Sequence, residues 1–149
     1  MKTKKPYKIS PASIAYITFL RTADKMGSLV ENFFLPYGIT GQQYNVLRIL
    51  RGAEPEGLPT LTIAERMITR APGITRMIDR LEAKGLVQRQ ACPDDRRCVY
   101  CRVTEKGLDV LAKLDEPVQE MNRTVLRGLD DEEIEQLTAL LQKALDALE

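Results

Sequence analysis

The sequence predicts a mainly α-helical fold of six helices and one small hairpin. Two short helical segments, separated by a turn, lie between residues 61 and 84, and two alternating strands surround a basic loop directly after them. Longer amphipathic segments flank this unit on both sides. Because the second short helix of such a unit fits the major groove of DNA, with the hairpin beside it, the pattern predicts a winged helix-turn-helix with a two-stranded wing.

Start and stop signals define the first three helices. The first begins at Ser10-Pro11 and continues to the helix-breaking segment Pro36-Tyr-Gly38. Thr40 and Gln43 form a capping box that opens the second helix, which ends at Gly52. A further capping box, Thr62-Ile-Ala-Glu65, is expected to open the third helix.

The fourth helix and the hairpin follow directly. The helix is expected from Pro72 to Lys84, because proline suits a first helical turn and Gly85 supplies a left-handed stop. The segments Leu86–Ala91 and Cys98–Val103 have the composition of strands, and the loop between them is basic.

Two amphipathic helices complete the chain. Thr104 caps a fifth helix to about Arg127, in which Pro117 should produce a kink. Asp130 and Glu133 start a sixth helix with an apolar stripe of Ile134, Leu137, Leu141 and Leu145. The terminal helices have more apolar surface than a small winged domain needs, so we expect them to be buried against a second copy of the chain.

Three motifs resemble those of the MarR family of bacterial transcriptional regulators: Leu81-Glu-Ala-Lys-Gly-Leu-Val-Gln-Arg89, Asp95-Arg-Arg97 and Val103-Thr-Glu-Lys-Gly107. Ile39-Thr-Gly-Gln-Gln-Tyr-Asn-Val-Leu47 matches the family's helix before the helix-turn-helix, so the resemblance covers nearly the whole chain. The resemblance implies a homodimer that binds a palindromic operator in double-stranded DNA. It further implies a repressor that a small effector releases from its operator.

The predicted elements and the resemblance together divide the chain by role. We expect one domain over residues 1–149, with a DNA-binding lobe at 40–103. Dimerisation helices are expected at 10–36 and 104–148.

Helical geometry separates two faces of the fourth helix. At about 100° per residue, Ile74, Ile78 and Leu81 cluster on one side, opposite the arginines. We expect Arg76 to contact a guanine edge and Thr75 to contact a thymine methyl group or a phosphate. The predicted DNA-binding residues are Arg70, Pro72, Gly73, Thr75, Arg76, Arg80, Asp95, Arg96 and Arg97.

The remaining members of this set have expected roles of their own. Arg70 and Arg80 are expected at phosphates, although an ion pair within the helix is an alternative for Arg80. Gly73 would allow a close approach to the groove. In the wing, an arginine from Arg96-Arg97 should enter the minor groove while Asp95 orients its guanidinium.

The charge distribution supports a nucleic-acid partner. Residues 1–59 hold 8 Lys/Arg against 4 Asp/Glu, residues 60–106 hold 10 against 6, and residues 107–149 hold 4 against 11. The predicted DNA-binding segment is therefore basic, although the net charge of the chain is only +1.

Composition argues against catalysis and against a membrane location. The chain has no histidine and no Gly-rich phosphate loop, so we expect no enzyme activity, no catalytic residues, no metal and no cofactor. The N-terminus lacks the apolar stretch of a signal peptide, and no apolar run could span a bilayer. Three cysteines, an odd number, favour a reducing compartment, so a cytoplasmic location is expected.

Two alternatives remain open, and both concern the hairpin. Cys92 and Cys98 depart from the residues common in the family, and Arg96-Arg97 beside them favour thiolate chemistry, so the chain could be a redox sensor. The two cysteines could face each other across the hairpin and form a strained bridge. Cys101 alternates with core residues on its strand, which disfavours a zinc site of three thiolates. The second alternative is a winged-helix module that binds protein.

The resemblance also implies that the effector is a small aromatic or phenolic acid, bound between the dimerisation helices and the DNA-binding lobe. The effector site is unknown from sequence. Possible lining residues are Tyr16, Arg21, Tyr37 and Tyr44, each of which could equally serve ordinary packing.

Overall fold

The computed structural model describes residues 7–92 and 94–149, which form six α-helices and one antiparallel sheet. Pro93 of the predicted wing loop and residues 1–6 lie outside the described residues. The mainly helical fold class is confirmed. In chain order the elements are α1 (Pro11–Phe34), α2 (Gly41–Arg51), β1 (Leu58–Pro59), α3 (Thr60–Arg66), α4 (Ile74–Ala83), β2 (Val87–Ala91), β3 (Val99–Val103), α5 (Glu105–Val125) and α6 (Asp131–Asp146).

Four of the predicted helix starts are confirmed by their caps. The Ser10 and Thr104 side chains each accept a hydrogen bond from a backbone N–H three residues later. Thr40 and Gln43 form a reciprocal capping box with both hydrogen bonds at 3.1 Å. Asp130 and its partner three residues on do the same for α6. These side chains satisfy backbone donors that would otherwise lack partners at each helix start.

Two predicted helix starts are wrong. The capping box of Thr62 and Glu65 does not form, because α3 already begins at Thr60, with Pro59 as its cap residue and no side-chain cap. Pro59 is the last residue of β1, so pairing of this strand places the helix cap three residues earlier than the polar pattern indicated. Likewise α4 begins at Ile74, and Pro72 lies in the turn before it rather than in its first turn.

The sheet has three strands in the order β1-β3-β2. The predicted hairpin is confirmed, with β2 and β3 paired from Val87 opposite Val103 to Ala91 opposite Val99. The short strand β1 was not predicted; it adds Leu58 opposite Cys101. Two residues, one of them proline, carry too short a pattern to be recognised in a sequence.

The hydrophobic core lies where α2, α3, α4, α5 and the sheet meet. Its fully buried large side chains include Leu47, Leu50, Ile63, Ile78, Leu81, Leu111 and Leu114. The α5 helix contributes to this core and remains continuous through Pro117. The helix-turn-helix and the wing are therefore packed against one long helix.

The two terminal helices contribute little to this core. Phe34, at its last position, is the buried residue of α1, and α6 has none. Large apolar side chains of both helices face solvent in this single chain: Ile14, Tyr16, Ile17, Phe19, Leu20 and Leu29 on α1, and Leu140, Leu141 and Leu145 on α6. Among the described residues, no helix combines the length and apolar character needed to cross a bilayer.

Candidate nucleic-acid interface

The α4 helix has two chemically distinct faces. Ile78 and Leu81 are completely buried and Ile74 is partly buried, whereas Arg76 and Arg80 are exposed. Full burial of an Ile or Leu side chain is worth about 1.5–3 kcal/mol, so the apolar face determines how the helix is rotated about its axis. The predicted division into a core face and an arginine face is confirmed.

Five predicted arginines point to solvent without an acidic partner. Arg70, Arg76, Arg80, Arg96 and Arg97 are exposed, and none takes part in an ion pair among residues 7–92 and 94–149. The alternative of an intrahelical ion pair for Arg80 is therefore not observed. Guanidinium groups that are free of carboxylates remain available for an anionic partner such as phosphate.

Arg89, on β2, explains why the acidic residues of α4 do not neutralise these arginines. Its guanidinium lies 2.7 Å from Asp79 Oδ1 and 3.1 Å from Glu82 Oε1. Its backbone N–H donates to Glu82 Oε2 at 3.0 Å, and Nη2 donates to the Thr75 carbonyl at 3.4 Å. Arg89 of β2 therefore binds three residues of α4.

The electrostatics of this cluster follow from its geometry. Partial burial of Arg89 disfavours the charged guanidinium, but Asp79 and Glu82 outweigh that effect, so the pKa of Arg89 is raised. We did not predict from the sequence that Arg89 would position α4. The spacing of Asp79 and Glu82 on one helix face was visible, but their partner could only be identified once the strand was placed beside the helix.

Both ends of α4 are held by neighbouring elements. In the turn before it, the Ile68 N–H donates to Asn45 Oδ1 of α2 at 2.9 Å. After it, the Lys84 ammonium donates to the Gly38 carbonyl and to Gln43 Oε1. These contacts connect the helix-turn-helix to α2 and so limit its movement relative to the core.

Gly73, directly before α4, is free of two constraints that commonly require glycine. Its φ of −108° is accessible to any residue. A Cβ built at this position would have no neighbour within 4 Å. Neither backbone conformation nor packing within the chain therefore accounts for glycine here, and Arg70 and Pro72 lie exposed in the same turn.

The wing tip is shaped by Asp95. Its Oδ1 accepts a hydrogen bond from the Arg97 backbone N–H at 2.9 Å, and its carbonyl accepts from the Cys98 N–H at 3.2 Å. We expected this carboxylate to orient a guanidinium group, but it binds backbone instead. This short-range turn leaves the side chains of Arg96 and Arg97 directed to solvent.

The three cysteines separate into a pair and a core residue. Cys92 and Cys98 face each other across the base of the wing loop and form a disulfide, with their Cα atoms 5.4 Å apart. Cys101 is fully buried, and burial raises the pKa of its thiol. The prediction of Cys101 as a core residue is confirmed, and the three sulfurs do not converge on one point.

The four possible effector-lining residues do not converge within one chain. Tyr44 is buried against Phe34, with ring centroids 5.0 Å apart, and Tyr37 packs near the same end of α1. Tyr16 and Arg21 lie exposed on the N-terminal half of that helix. At 1.5 Å per residue, Tyr16 is roughly 27 Å from Phe34, so these groups cannot line one small pocket in a single subunit.

A bidentate ion pair links the end of α2 to α5. Arg51 Nη1 and Nη2, at the end of α2, donate to the two carboxylate oxygens of Asp115 at 3.0 and 2.9 Å. The hydrogen bond from Arg51 lowers the pKa of Asp115. Tyr44 lies nearby, and its pKa is raised by burial against the opposing effect of Arg48.

The fold and the basic face define a winged helix-turn-helix DNA-binding protein, and comparison with known proteins identifies its family. The MarR family model matches residues 39–99. A MarR transcription factor from Planctomyces limnophilus, known from its crystal structure, is 40% identical over 91% of this chain and 98% of its own, with a TM-score of 0.72. The chain belongs to the MarR family, as its motifs indicated.

Two further structures support the fold, and one of these proteins was crystallised with DNA. A cysteine-to-serine mutant of MarR from E. coli, crystallised in complex with operator DNA, is 26% identical over 89% of this chain and 94% of its own, with a TM-score of 0.79. A MarR-like regulator from Bacillus cereus ATCC 10987 has a TM-score of 0.82 at 21% identity, covering 93% of this chain and 98% of that one. The protein is a MarR-type DNA-binding transcriptional regulator and not an enzyme.

Prediction for the wing strand. Arg89→Lys keeps the positive charge but replaces the planar guanidinium, whose separate nitrogens reach Asp79, Glu82 and the Thr75 carbonyl, with a compact ammonium. We expect cognate DNA to bind about threefold to tenfold more weakly, since a misplaced wing and helix lose contacts worth roughly 1 kcal/mol. The salt dependence of binding should not change, because the charge is retained.

The matched control for this prediction is Arg102→Lys on β3, at the position paired with Gln88. Arg102 belongs to no ion pair within the described part of the chain. Fluorescence anisotropy at several salt concentrations measures both quantities. Equal loss in the two variants would contradict a positioning role for Arg89.

Proposed function

We propose that this regulator is a homodimeric repressor that binds a palindromic operator through α4 and the wing, and that a small aromatic acid releases it. The DNA-binding role is supported by five exposed arginines around α4 and the wing tip. None of them has an acidic partner among the described residues. The acidic residues of α4 are bound by Arg89 and so do not offset that charge.

In this proposal α4 is the recognition helix, which supplies sequence specificity. Arg76, exposed in its first turn, grips the O6 and N7 atoms of a guanine, and Thr75 contacts a thymine methyl group or a phosphate. Arg70 and Arg80 bind phosphates on either side. The open space around Gly73 supports close approach of the DNA backbone to the turn at Pro72-Gly73, because a side chain there would occupy the groove.

The wing supplies contacts that depend on DNA shape. Arg96 and Arg97 project from a turn that Asp95 closes through the backbone, so the role of Asp95 is to present the arginines. A narrow A·T-rich minor groove concentrates negative potential and attracts an inserted guanidinium. Direct readout by α4 and shape readout by the wing then act on adjacent grooves.

Dimerisation explains the unburied apolar surface of the terminal helices. An open groove of about 380 Å³ between α1 and α5 is lined by Leu29, Phe33, Pro117, Glu120, Met121, Thr124 and Val125. The apolar stripe of α6 lies exposed or half-buried in the single chain. A second copy that covers these surfaces would hide them at about 25 cal/mol per Å². Two-fold symmetry would then place two recognition helices on two half-sites of a palindrome.

The junction of α2 and α5 is the effector site we propose. Arg51 holds Asp115 there beside the buried ring of Tyr44, so a guanidinium, a phenol and aromatic carbons lie together. An aromatic carboxylate would compete with Asp115 for Arg51. That exchange would break the ion pair between α2 and α5. The loss of this link would change the spacing of the recognition helices in the dimer.

Prediction for the DNA surface. Arg76→Ala should cost about 1–3 kcal/mol on the cognate site and relax preference at one base position. Arg97→Ala should weaken binding across DNA sequences and reduce the salt slope by about one unit. Titrations of cognate and scrambled duplexes at several salt concentrations distinguish the two. Unchanged binding in both variants would remove the assignment of this surface to DNA.

Prediction for the dimer. Leu141→Asp places a charge in the apolar stripe of α6 and should convert a dimer at micromolar concentration into monomer, with operator affinity lost in parallel. Ala139→Asp adds the same charge on the opposite, exposed face of that helix and should leave the dimer intact. Light scattering measures mass. A stable monomer that binds a palindrome with full affinity would refute the dimer.

Prediction for the effector. With 2-hydroxybenzoate as the probe, DNA should be released from the native protein. Arg51→Met lacks both the ion pair to Asp115 and the guanidinium that would bind the acid, so it should bind cognate DNA weakly without acid and should respond little to added acid. Arg123→Met removes a guanidinium from an exposed ion pair elsewhere on α5 and should respond like the native protein. Competition binding on cognate DNA gives the release curves of all three proteins. Equal responses in all three proteins would exclude Arg51 from effector binding.

A further inference from the structure

We propose that Cys92 and Cys98 form a reversible dithiol–disulfide site, oxidised by hydroperoxides, that determines how firmly the wing tip is held. The proposal goes beyond regulation by an effector. It rests on the proposed function only in its DNA readout, because formation of the bond can be measured without DNA.

The geometry of the wing carries this inference. Cys92 and Cys98 continue the β2–β3 register by one pair beyond Ala91 and Val99. The Cys92 N–H donates to the Cys98 carbonyl at 3.0 Å, so the backbone holds the two residues opposite each other whether or not the sulfurs are bonded. A Cα separation of 5.4 Å lies within the normal range for a disulfide. The fold therefore brings the thiols together without movement of the strands.

Exposure separates this pair from the third cysteine. Cys92 and Cys98 are partly exposed, so a small oxidant can reach them. Cys101 is fully buried, and its sulfur lies 3.7 Å from the Thr60 hydroxyl on the core side of the sheet. The chain thus contains a reactive pair and an internal reference thiol within ten residues.

A hydroperoxide can oxidise the two thiols to a disulfide in two steps. One thiolate attacks the peroxide oxygen, the O–O bond breaks, and the products are a sulfenic acid and, for hydrogen peroxide, water. The second thiolate then attacks that sulfur, the S–S bond forms, and hydroxide leaves and takes up a proton to give a second water. The two thiols lose two electrons and two protons in total. A dithiol reductant reverses the change by thiol–disulfide exchange.

The bond acts on the residues that the ring encloses. Asp95, Arg96 and Arg97 all lie between the two cysteines, so the disulfide closes the loop that presents both arginines. When the pair is reduced, hydrogen bonds from the Arg97 and Cys98 N–H groups to Asp95 still hold the described part of that loop, but no covalent bond closes it. Ordering it on DNA then costs conformational entropy that the oxidised wing has already lost. We expect the oxidised form to bind cognate DNA about threefold to tenfold more tightly.

The first experiment tests the site alone. The full chain is reduced with dithiothreitol, separated from it, treated with hydrogen peroxide, denatured, alkylated with iodoacetamide and weighed. The native protein should lose 2 Da and take up one alkyl group instead of three, and dithiothreitol should restore all three. Cys101→Ala should lose 2 Da in the same way, whereas Cys92→Ser/Cys98→Ser should not. Chymotryptic cleavage after Tyr100 separates Cys98 from Cys101 and identifies the bonded sulfur.

The second experiment measures operator affinity of the oxidised and reduced proteins. The native protein and Cys101→Ala should show the threefold to tenfold ratio, and Cys92→Ser/Cys98→Ser should show a ratio of one. Arg97→Ala should reduce the ratio, since the bond acts through the presented arginine. Absence of the 2 Da loss, a bond between subunits, or tighter binding by the reduced form would overturn the proposal.

The two experiments also separate this proposal from the proposed function. If the bond forms and affinity does not respond to it, while Arg97→Ala weakens binding, the wing contact stands and the redox control is refuted. If the bond forms and Arg97→Ala has no effect, the wing contact itself is refuted, and with it the route by which oxidation would change affinity.

Discussion

Burial of one face of α4 is the constraint on which the remaining structure depends. Ile78 and Leu81 are fully enclosed by neighbouring helices and the sheet, and their burial is worth about 1.5–3 kcal/mol each. The surface ion pairs around them contribute about 0–1 kcal/mol each. The apolar residues therefore determine the rotation of the helix, and that rotation directs Arg76 and Arg80 to solvent. The polar contacts of Arg89 act on a helix that is already oriented.

Arg89 has a second effect, which concerns charge rather than stability. A recognition helix with Asp79 and Glu82 would repel phosphate if both carboxylates were free. Because a strand residue binds both, the helix keeps acidic side chains near its outer face without a net negative surface. The same contacts connect the wing to the helix, so the two DNA-facing elements behave as one unit. Local neutralisation explains how a chain of net charge +1 presents a basic face.

The sequence predicted the helices well where a short-range signal existed. The caps at Thr40 and Asp130 and the left-handed stop at Gly85 involve residues within a few positions of each other, and all three are present. The start of α3 was wrong because pairing of β1 with β3, a contact over some forty residues, overrides the polar pattern at Thr62. Arg89 was missed for a different reason, since its partners Asp79 and Glu82 lie only ten and seven residues before it. A strand-to-helix ion pair leaves no periodic pattern in the sequence.

The wing illustrates how one short segment can combine several constraints. Alternation along β3 predicted that Cys101 faces the core, and it does. The polar loop predicted exposed arginines, and the turn closed by Asp95 leaves them exposed, although Asp95 binds backbone rather than a side chain. Register alone then brings Cys92 opposite Cys98. Because hairpin pairing fixes which residues face each other, the position of the two cysteines, and not their number, makes a bond around Arg96 and Arg97 geometrically available.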